Sequence, residues 1–432
     1  MPSSSELRER SWWRRFAPVE PGEIESLLWS CLLALLVFTA YYILRPLRDA
    51  IGSEQDLTGE LPWVVTATLV GMLLGTMIFS LIASHIPRRW VLPACFQFFV
   101  LNLLGLYVLL ATTSGEAAVW AGRTFYVWVG IFNLITISTM WSVLADVFTT
   151  EQAKRLFGVV SVGVTIGVLT GSQINSFLVQ HIHTDLLLLL SALLLQCAAV
   201  VGWHVARLAA RRAEIARTDE AAPIGPQPLG GKAWSGLVIV SRSPYLLMIA
   251  AYIFLYTTTS TFLYFEQTRI MQEAFTDRAS RSAFSANVTF TANLCVLGMQ
   301  LFLTAHIVRF LGMALTLMVT PLVTIGAFAA LDWRDTTVML MAVLVTRSSL
   351  HYAVDKPSRE MLYTVVQPEA KYKAKNFIDT FIYRGGDTIG GWIYAAAAQV
   401  AGVVTFAAIG ACVVWSVVAW ALAQRFERVK RS

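Results

Sequence analysis

Runs of mostly apolar residues follow one another along the entire chain, at roughly 27–44, 62–84, 90–112, 124–145, 157–179, 184–206, 244–265, 284–305, 310–331, 336–354, 376–398 and 400–423. A helix crosses the hydrocarbon of a bilayer in about 20 residues. In lipid such a run must be helical, because an open strand leaves backbone groups unpaired. The pattern predicts an all-α membrane protein with twelve transmembrane helices. Charge is correspondingly scarce: 14% of residues are charged, against about 25% in an ordinary soluble domain.

The net charge of +6 is unevenly placed. With the N-terminus in the cytoplasm, 24 of the 33 Lys and Arg fall in segments on that side. Arg347 and Arg384 lie inside expected helices. This is the positive-inside distribution. It explains the basic balance without a nucleic-acid partner and puts both termini in the cytoplasm. All five cysteines lie in apolar runs and form no C-x-x-C pair, so they read as small buried hydrophobes rather than metal or redox groups. The first apolar run follows Trp12-Trp13-Arg14-Arg15 and is too long for a cleavable signal core. A bacterial inner membrane is the expected location.

The longest polar interruption, 207–243, carries Arg211, Arg212, Glu214, Arg217, Asp219 and Glu220, then Pro223, Pro226 and Pro228. It separates an N-terminal six-helix bundle, 1–206, from a C-terminal one, 244–432. Two six-helix halves joined by a charged linker resemble the major facilitator layout, whose halves are related by pseudo-symmetry. Span 5 carries Gly158, Gly163, Gly167 and Gly171, and span 11 carries Gly385, Gly386, Gly390 and Gly391. Gly163, Gly167 and Gly171 line one helix face, as close helix packing requires. A face that slides during transport is compatible with the same pattern.

Ionisable groups at membrane depth are costly and tend to mark a pathway. Arg45, Arg48 and Asp49 close span 1 at i, i+3 and i+4, provided that Pro46 does not break the helix. They read either as an interfacial cap or as part of a site. In span 10, Arg347, His351 and Asp355 form one stripe, either a structural ion pair or a cationic site for an anion. Span 11 holds Asp379, Arg384 and Asp387 among glycines. There Arg384 and Asp387 can pair locally, and a carboxylate could load and release a proton. Glu266 falls near the outer end of span 7, where a solvated position is expected. Gln97, Asn102, Asn133, Gln173, Asn175, Asn287, Asn293 and Gln300 add polar groups that suit interhelical hydrogen bonds or a wet cavity. No Walker loop, dinucleotide fingerprint, H-E-x-x-H or G-x-S-x-G occurs. Neither an enzyme nor an ATP-hydrolysing pump is expected, and no cofactor or metal.

Three segments resemble the ATP/ADP translocases, the nucleotide transporters of intracellular bacteria and plastids. Arg45-Pro46-Leu47-Arg48-Asp49 is similar to that family's R-S-L-K-D. Glu151-Gln152-Ala153-Lys154-Arg155-Leu156-Phe157 is similar to E-A-K-R-F/Y. Asp355-Lys356-Pro357-Ser358-Arg359-Glu360-Met361-Leu362-Tyr363 is similar to D-P-T-K-E-M-A-Y. The match continues through Lys373–Asp379, similar to K-G-K-A-A-I-D, and Arg384–Gly390, similar to R-L-G-K-S-G-G. The resemblance implies exchange of an anionic nucleotide, with cations holding phosphates. Arg48 keeps the family cation, Arg384 matches the family Arg, and Asp387 stands where the family has Lys. The family's N-L-x-E-x-x-W-K stretch is not recognisable in Thr258–Glu266. These departures mark a divergent member.

The expected activity is secondary active transport of an anionic solute, of the ATP/ADP exchange type, by a monomer. Proton-coupled transport of another metabolite is the alternative. The expected binding residues are Arg45, Arg48, Arg347, Arg384, Asn133, Asn175 and Asn293, with Asp49, Asp355, Asp379 and Asp387 as coupling or charge-pair groups.

Overall fold

The structure is a computed structural model, which describes residues 19–219, 235–302, 304–400 and 402–431. Trp12–Arg15 and the linker residues Glu220, Pro223, Pro226 and Pro228 lie outside the described residues. Six long helices come first: α1 Ile24–Gly52, α2 Glu60–His85, α3 Arg88–Thr112, α4 Glu116–Val147, α5 Thr150–Leu178 and α6 Leu186–Asp219. A short helix, Ser235–Arg242, leads to α7 Pro244–Ala274, α8 Arg278–Phe302 and α9 Thr304–Trp333. Then α10 runs as Thr337–Leu350, a π-turn His351–Asp355, and Lys356–Leu362. Similarly, α11 runs as Pro368–Phe377, a π-turn Ile378–Ile382, and Tyr383–Ala398, before α12 Val403–Arg431.

Helix starts follow from local chemistry. Thr149 and Gln152 form a reciprocal capping box at α5. Ser243 caps α7 ahead of Pro244, and Thr336 caps α10. At Gly312 the chain takes φ 67°, which only glycine adopts readily, and α9 kinks there. Pro46 does not end α1, which continues to Gly52. Arg45, Arg48 and Asp49 therefore do share a helix.

Among the described residues, ten helical stretches are long and apolar enough to cross a membrane. Of the twelve expected spans, α8 and α11 fall short. The first turns of α8 are rich in Arg and Ser, and α11 opens on Lys371, Lys373 and Lys375 and is interrupted by its π-turn. Twelve thus counts helical rods, not apolar ones.

The chain forms two compact units. Unit 1 holds α1 up to Arg48, α2 from Gly71, α3 to α6, and Ser282–Asn287 of α8. Its centre is aromatic: Trp128 stacks on Phe132 at 5.1 Å, and Phe99 meets Phe132 edge-on at 5.3 Å. Unit 2 holds residues 49–70, the stretch to Arg281, and everything from Val288 onward. Trp415, Tyr252, Tyr394, Phe262 and Phe265 are fully buried there.

The spaced glycines seat one helix directly on another. A Cβ on Gly163, Gly167 or Gly171 would stand 2.5, 2.6 and 2.6 Å from the backbone carbonyls of Cys31, Leu35 and Thr39. The steps of four match on both helices, so α5 lies in register along α1. In unit 2, Gly386 and Gly390 let α11 close on Thr257 and Thr258 of α7 in the same manner. The α1–α5 pair is clamped at its foot by the buried Glu23. That carboxylate accepts hydrogen bonds from the Glu20 amide at 3.0 Å, Gln152 Nε2 at 2.8 Å and Arg155 Nη2 at 2.7 Å. Burial opposes ionisation of Glu23, but the Glu20 amide, Gln152 and Arg155 outweigh it and hold its pKa below the usual glutamate range.

Two outcomes are expected. Gly167→Leu should remove monodisperse, detergent-extractable protein or lower its unfolding temperature sharply, because overpacking against backbone costs about 1–3 kcal/mol or more. Retained wild-type melting would contradict the register described. For Glu23, a depressed folded-state pKa means that its contribution is present above the ordinary value of 4.5 and is lost as pH falls through the folded value. The melting advantage of wild type over Glu23→Gln should therefore be full at neutral pH and shrink on acidification below that value.

Candidate functional site

Within unit 2, α10 and α7 present matching polar stripes. On α10 these are Arg347, His351, Asp355 and Arg359. On α7 they are Tyr252, Tyr256 and Ser260, also four apart. The stripes pair antiparallel: Tyr252 Oη donates to Asp355, Tyr256 stacks on His351 at 4.5 Å and 14°, and Arg347 Nη2 donates to Ser260 Oγ at 2.7 Å. All three α10 partners are buried, Arg347 at 8%, His351 at 6% and Asp355 at 0% exposure.

Asp355 is the hub. Besides Tyr252, it takes His351 Nδ1 at 3.1 Å and lies 3.4 Å from Arg359 Nε. A carboxylate facing Nδ1 requires the proton on that nitrogen. The Tyr256 ring carries a guanidinium against it twice, Arg347 at 5.3 Å and Arg359 at 5.1 Å. Trp415 and Tyr383 extend the aromatic wall at 5.8 and 6.1 Å from Tyr256.

The charges do not balance. The stripe holds two guanidiniums and one carboxylate, and that carboxylate is engaged by Arg359 and His351. Among the described residues Arg347 forms no salt bridge; its contacts are neutral, Ser260, Thr324 Oγ1 at 3.3 Å and the Tyr256 carbonyl at 3.5 Å. The two hydroxyls are already satisfied as donors, Ser260 to the Tyr256 carbonyl and Thr324 to that of Thr320, both at 2.7 Å. A buried cation held only by neutral oxygens keeps its charge for another anion.

The other expected residues stand as follows. In α11, Arg384 and Asp387 pair at 3.4 Å while both remain partly exposed. Asp379 is exposed in the π-turn. Asn293 Nδ2 donates to the Thr289 carbonyl of its own helix. In unit 1, Arg45 Nη1 donates to Tyr42 Oη at 3.2 Å, and Arg48 lies 5.3 Å from the Tyr126 ring. Asn175 is fully buried and engaged at both ends: it donates to the Ile43 carbonyl at 2.7 Å and accepts from Ser282 at 2.9 Å. Asn133 Oδ1, by contrast, is buried with no hydrogen-bond partner among the described residues, as is Thr136 Oγ1 three positions on. Asp49 lies half-buried in α1. Glu266 departs from expectation. Its side chain is 12% exposed, pairs with Arg269 at 2.9 Å and accepts from Tyr394 Oη at 2.8 Å. Tyr394 and Arg269, neither of which the sequence pattern marks, hold it out of solvent.

The structure thus places Arg347 and Asp355 in one polar stripe without a direct contact, and pairs Arg384 with Asp387. It adds Arg359, Tyr252, Tyr256 and Ser260, which the sequence pattern alone did not single out. The signal was present: Arg359 extends the step of four by one, and the α7 stripe has the same step.

These features fit the comparisons with known proteins. The Major Facilitator Superfamily model matches residues 30–354, and the chain belongs to that family. It is a multi-pass membrane transporter. It is 23% identical to an ADP,ATP carrier protein 1 of Chlamydia trachomatis over 87% of this chain and 82% of that protein. The ADP,ATP carrier protein 1 of Chlamydia muridarum shows the same identity and coverage. Among solved structures, the nucleoside transporter NupG aligns with TM-score 0.55 and 13% identity, covering 96% of this chain and 100% of that one. A POT family peptide transporter, PepTSo, aligns with TM-score 0.60 and 13% identity, covering 94% and 98%. At those identities the solved structures establish the fold alone.

Asp355 and Arg347 should behave oppositely on removal. Asp355→Ala strands Arg359 in a buried setting, and breaking a buried pair costs about 3–5 kcal/mol. The variant should melt far below wild type in detergent. Arg347→Gln leaves only hydroxyls that are already satisfied as donors, so it should melt close to wild type. Equal destabilisation of the two would refute this division of roles between Arg347 and Arg359.

Proposed function

We propose that this transporter is a secondary active exchanger of an anionic solute, a nucleotide of the ATP/ADP type, and that it works by alternating access. The observation that carries the reading is the buried, uncompensated guanidinium of Arg347 beside the Tyr256 ring. Arginine suits phosphate by its planar fork of donors, and the aromatic wall suits a base or sugar. The printed names of the chlamydial relatives support the same class of solute. Binding draws on Arg45, Arg48, Arg347 and Arg384, with Asn133 as a further polar contact. In this reading the halves 1–206 and 244–432 rock about a midplane site joined by the linker 207–243. The protein acts as a monomer in the inner membrane with both termini in the cytoplasm.

Asp387 shapes the reading. It neutralises Arg384 within its own helix, so the phosphate-holding role falls more heavily on Arg347. The same pair supports a second reading, proton-coupled transport of another anionic metabolite, in which Asp387 releases Arg384 when it takes up a proton.

The test is counterflow in proteoliposomes preloaded with unlabelled ADP, with labelled ATP outside, at two pH values. Exchange should depend on internal nucleotide. Losing one charge-assisted contact is worth about 1.5–3 kcal/mol, so Arg347→Gln should lower the rate roughly tenfold or more with its melting unchanged. No accumulation by folded, oriented protein would overturn the nucleotide reading and favour the proton-coupled one.

A further inference from the structure

Within unit 1, α2 lies directly on α4 at two glycines and then parts from it. A Cβ on Gly71 would stand 2.9 Å from Ile131 Cδ1, and one on Gly75 3.1 Å from Ile131 Cγ2. From there toward its end, α2 lines a cavity of about 360 Å³ with Gly75, Ile78, Phe79, Ile82, Ala83 and Ile86. The opposite wall is α3, which repeats the same steps of three and four from Val91 to Asn102. Trp128, Ile131 and Ile135 of α4 form the back. Two complete helical faces therefore meet across a gap, where such faces normally pack on one another.

The cavity has a sealed end and an open seam. At the sealed end Trp128 Nε1 donates to Asn102 Oδ1 at 3.3 Å, and Asn102 Nδ2 donates to the Phe98 carbonyl at 2.8 Å. Apart from this pair and Cys95, whose thiol faces Thr139 Oγ1 at 3.8 Å, the lining is hydrocarbon. Water needs two to four polar partners to settle in such a space, and the engaged amide offers none to spare. A helix about 10 Å across fills more than this volume in a single turn of 5.4 Å. A partner helix is thereby excluded as well. The seam runs between α2 and α3, where Ile78, Ile82, Ala94 and Phe98 are exposed. At the end nearest the α2–α3 turn stand Arg89 and Trp90, both exposed. Trp90 continues the Ala94–Phe98 step of four, so it marks the lip of the seam.

We propose that this cavity holds one acyl chain of an anionic phospholipid from the surrounding bilayer, with the headgroup at Arg89 and Trp90. The lined stretch from Gly75 to Ile86 rises about 16 Å, about half of the roughly 30 Å hydrocarbon layer and so the depth of one leaflet. Both walls belong to helices long and apolar enough to cross the membrane, so the seam opens onto lipid. A tryptophan beside an arginine at the mouth suits the headgroup level, where the indole sits at the interface and the guanidinium attracts negative charge. The site rests on the membrane-spanning assignment and on no particular solute.

The experiment reconstitutes the full chain in vesicles of equal phosphatidylglycerol and phosphatidylcholine. A trace of either lipid carries a photoreactive diazirine midway along one chain, and adducts are mapped by peptide mass spectrometry. Adducts should concentrate on Ile82, Ala94 and Phe98 rather than on exposed apolar positions elsewhere, such as Leu193 of α6. Ala94→Trp should cut them roughly fivefold or more, since the indole takes the space of the chain. Ile82→Trp at the other lip gives a second block should the first variant fold poorly, and Leu101→Trp, outside the cavity, should leave the adducts unchanged. The phosphatidylglycerol probe should label the seam roughly three- to fivefold more than the phosphatidylcholine probe, as expected from one cation at a membrane surface. Arg89→Gln should remove that preference and keep the adducts. Adducts spread evenly over the exposed faces of α2, α3 and α6, indifferent to Ala94→Trp and Ile82→Trp, would overturn the site. Equal labelling by the two probes in wild type would overturn the headgroup assignment. Because no nucleotide enters the assay, its outcome is independent of the counterflow result.

Discussion

Unit 2 is organised around the register of α7 on α10. Tyr252, Tyr256 and Ser260 meet Asp355, His351 and Arg347 one for one. Sliding either helix by one residue would take Tyr252 Oη from Asp355 and Ser260 Oγ from Arg347. Losing a partner is costly for a buried polar group, so these three pairs favour a single register of α7 on α10. The stripe also separates two kinds of cation. Arg359 serves the fold, because Asp355 needs it. Arg347 is supported by neutral groups that do not need it, which is why the proposed exchange assigns it to the solute.

A spacing of four does not by itself keep four residues on one face. On a regular α-helix each step of four overshoots a full turn by about 40°, and the stripe from Arg347 to Arg359 would wind well away from α7. The π-turn at His351–Asp355 relieves this, because its wider turn takes up the extra rotation where the two central groups must both face Tyr252 and Tyr256. A second π-turn lies in α11 just before Tyr383, Arg384 and Asp387. Both departures from regular helix therefore occur where charge enters the apolar layer.

Much of this was legible in the sequence. The apolar runs define the rods, and the four-spaced glycines of α5 foretell its contact with α1. The Arg347–His351–Asp355 stripe points at the buried cluster. What escaped has physical causes. Periodicity assumes an unbroken helix, so it does not reveal the π-turns; Arg359 continues the step of four, but only the π-turn shows that the step stays on one face. Tyrosine and serine carry no charge signal, and the α7 stripe reads as ordinary membrane helix until its partner is known. Pro46 looked able to break α1, yet a proline in a packed helix is tolerated when its neighbours satisfy the freed carbonyl. Asn175 looked like a cavity group because an amide in an apolar run can bond a solute or a neighbouring backbone, and only the Ile43 carbonyl and Ser282 show how it is engaged.

The same charge balance bears on how far a relative's substrate carries over. Where the translocases have a lysine beside their α11 arginine, this chain has Asp387, and the pair is locally neutral. A solute carrying several negative charges needs several unspent cations, since each close pair at an effective dielectric near 20 is worth about 4 kcal/mol. In the α7–α10 cluster, among the described residues, Arg347 is such a cation, set deep in aromatic walls. For the proposed solute, that arrangement offers one guanidinium beside the Tyr256 ring. In the proposed reading, the loss of one cation in α11 is offset by a larger share of recognition through Arg347 and the Tyr256 ring.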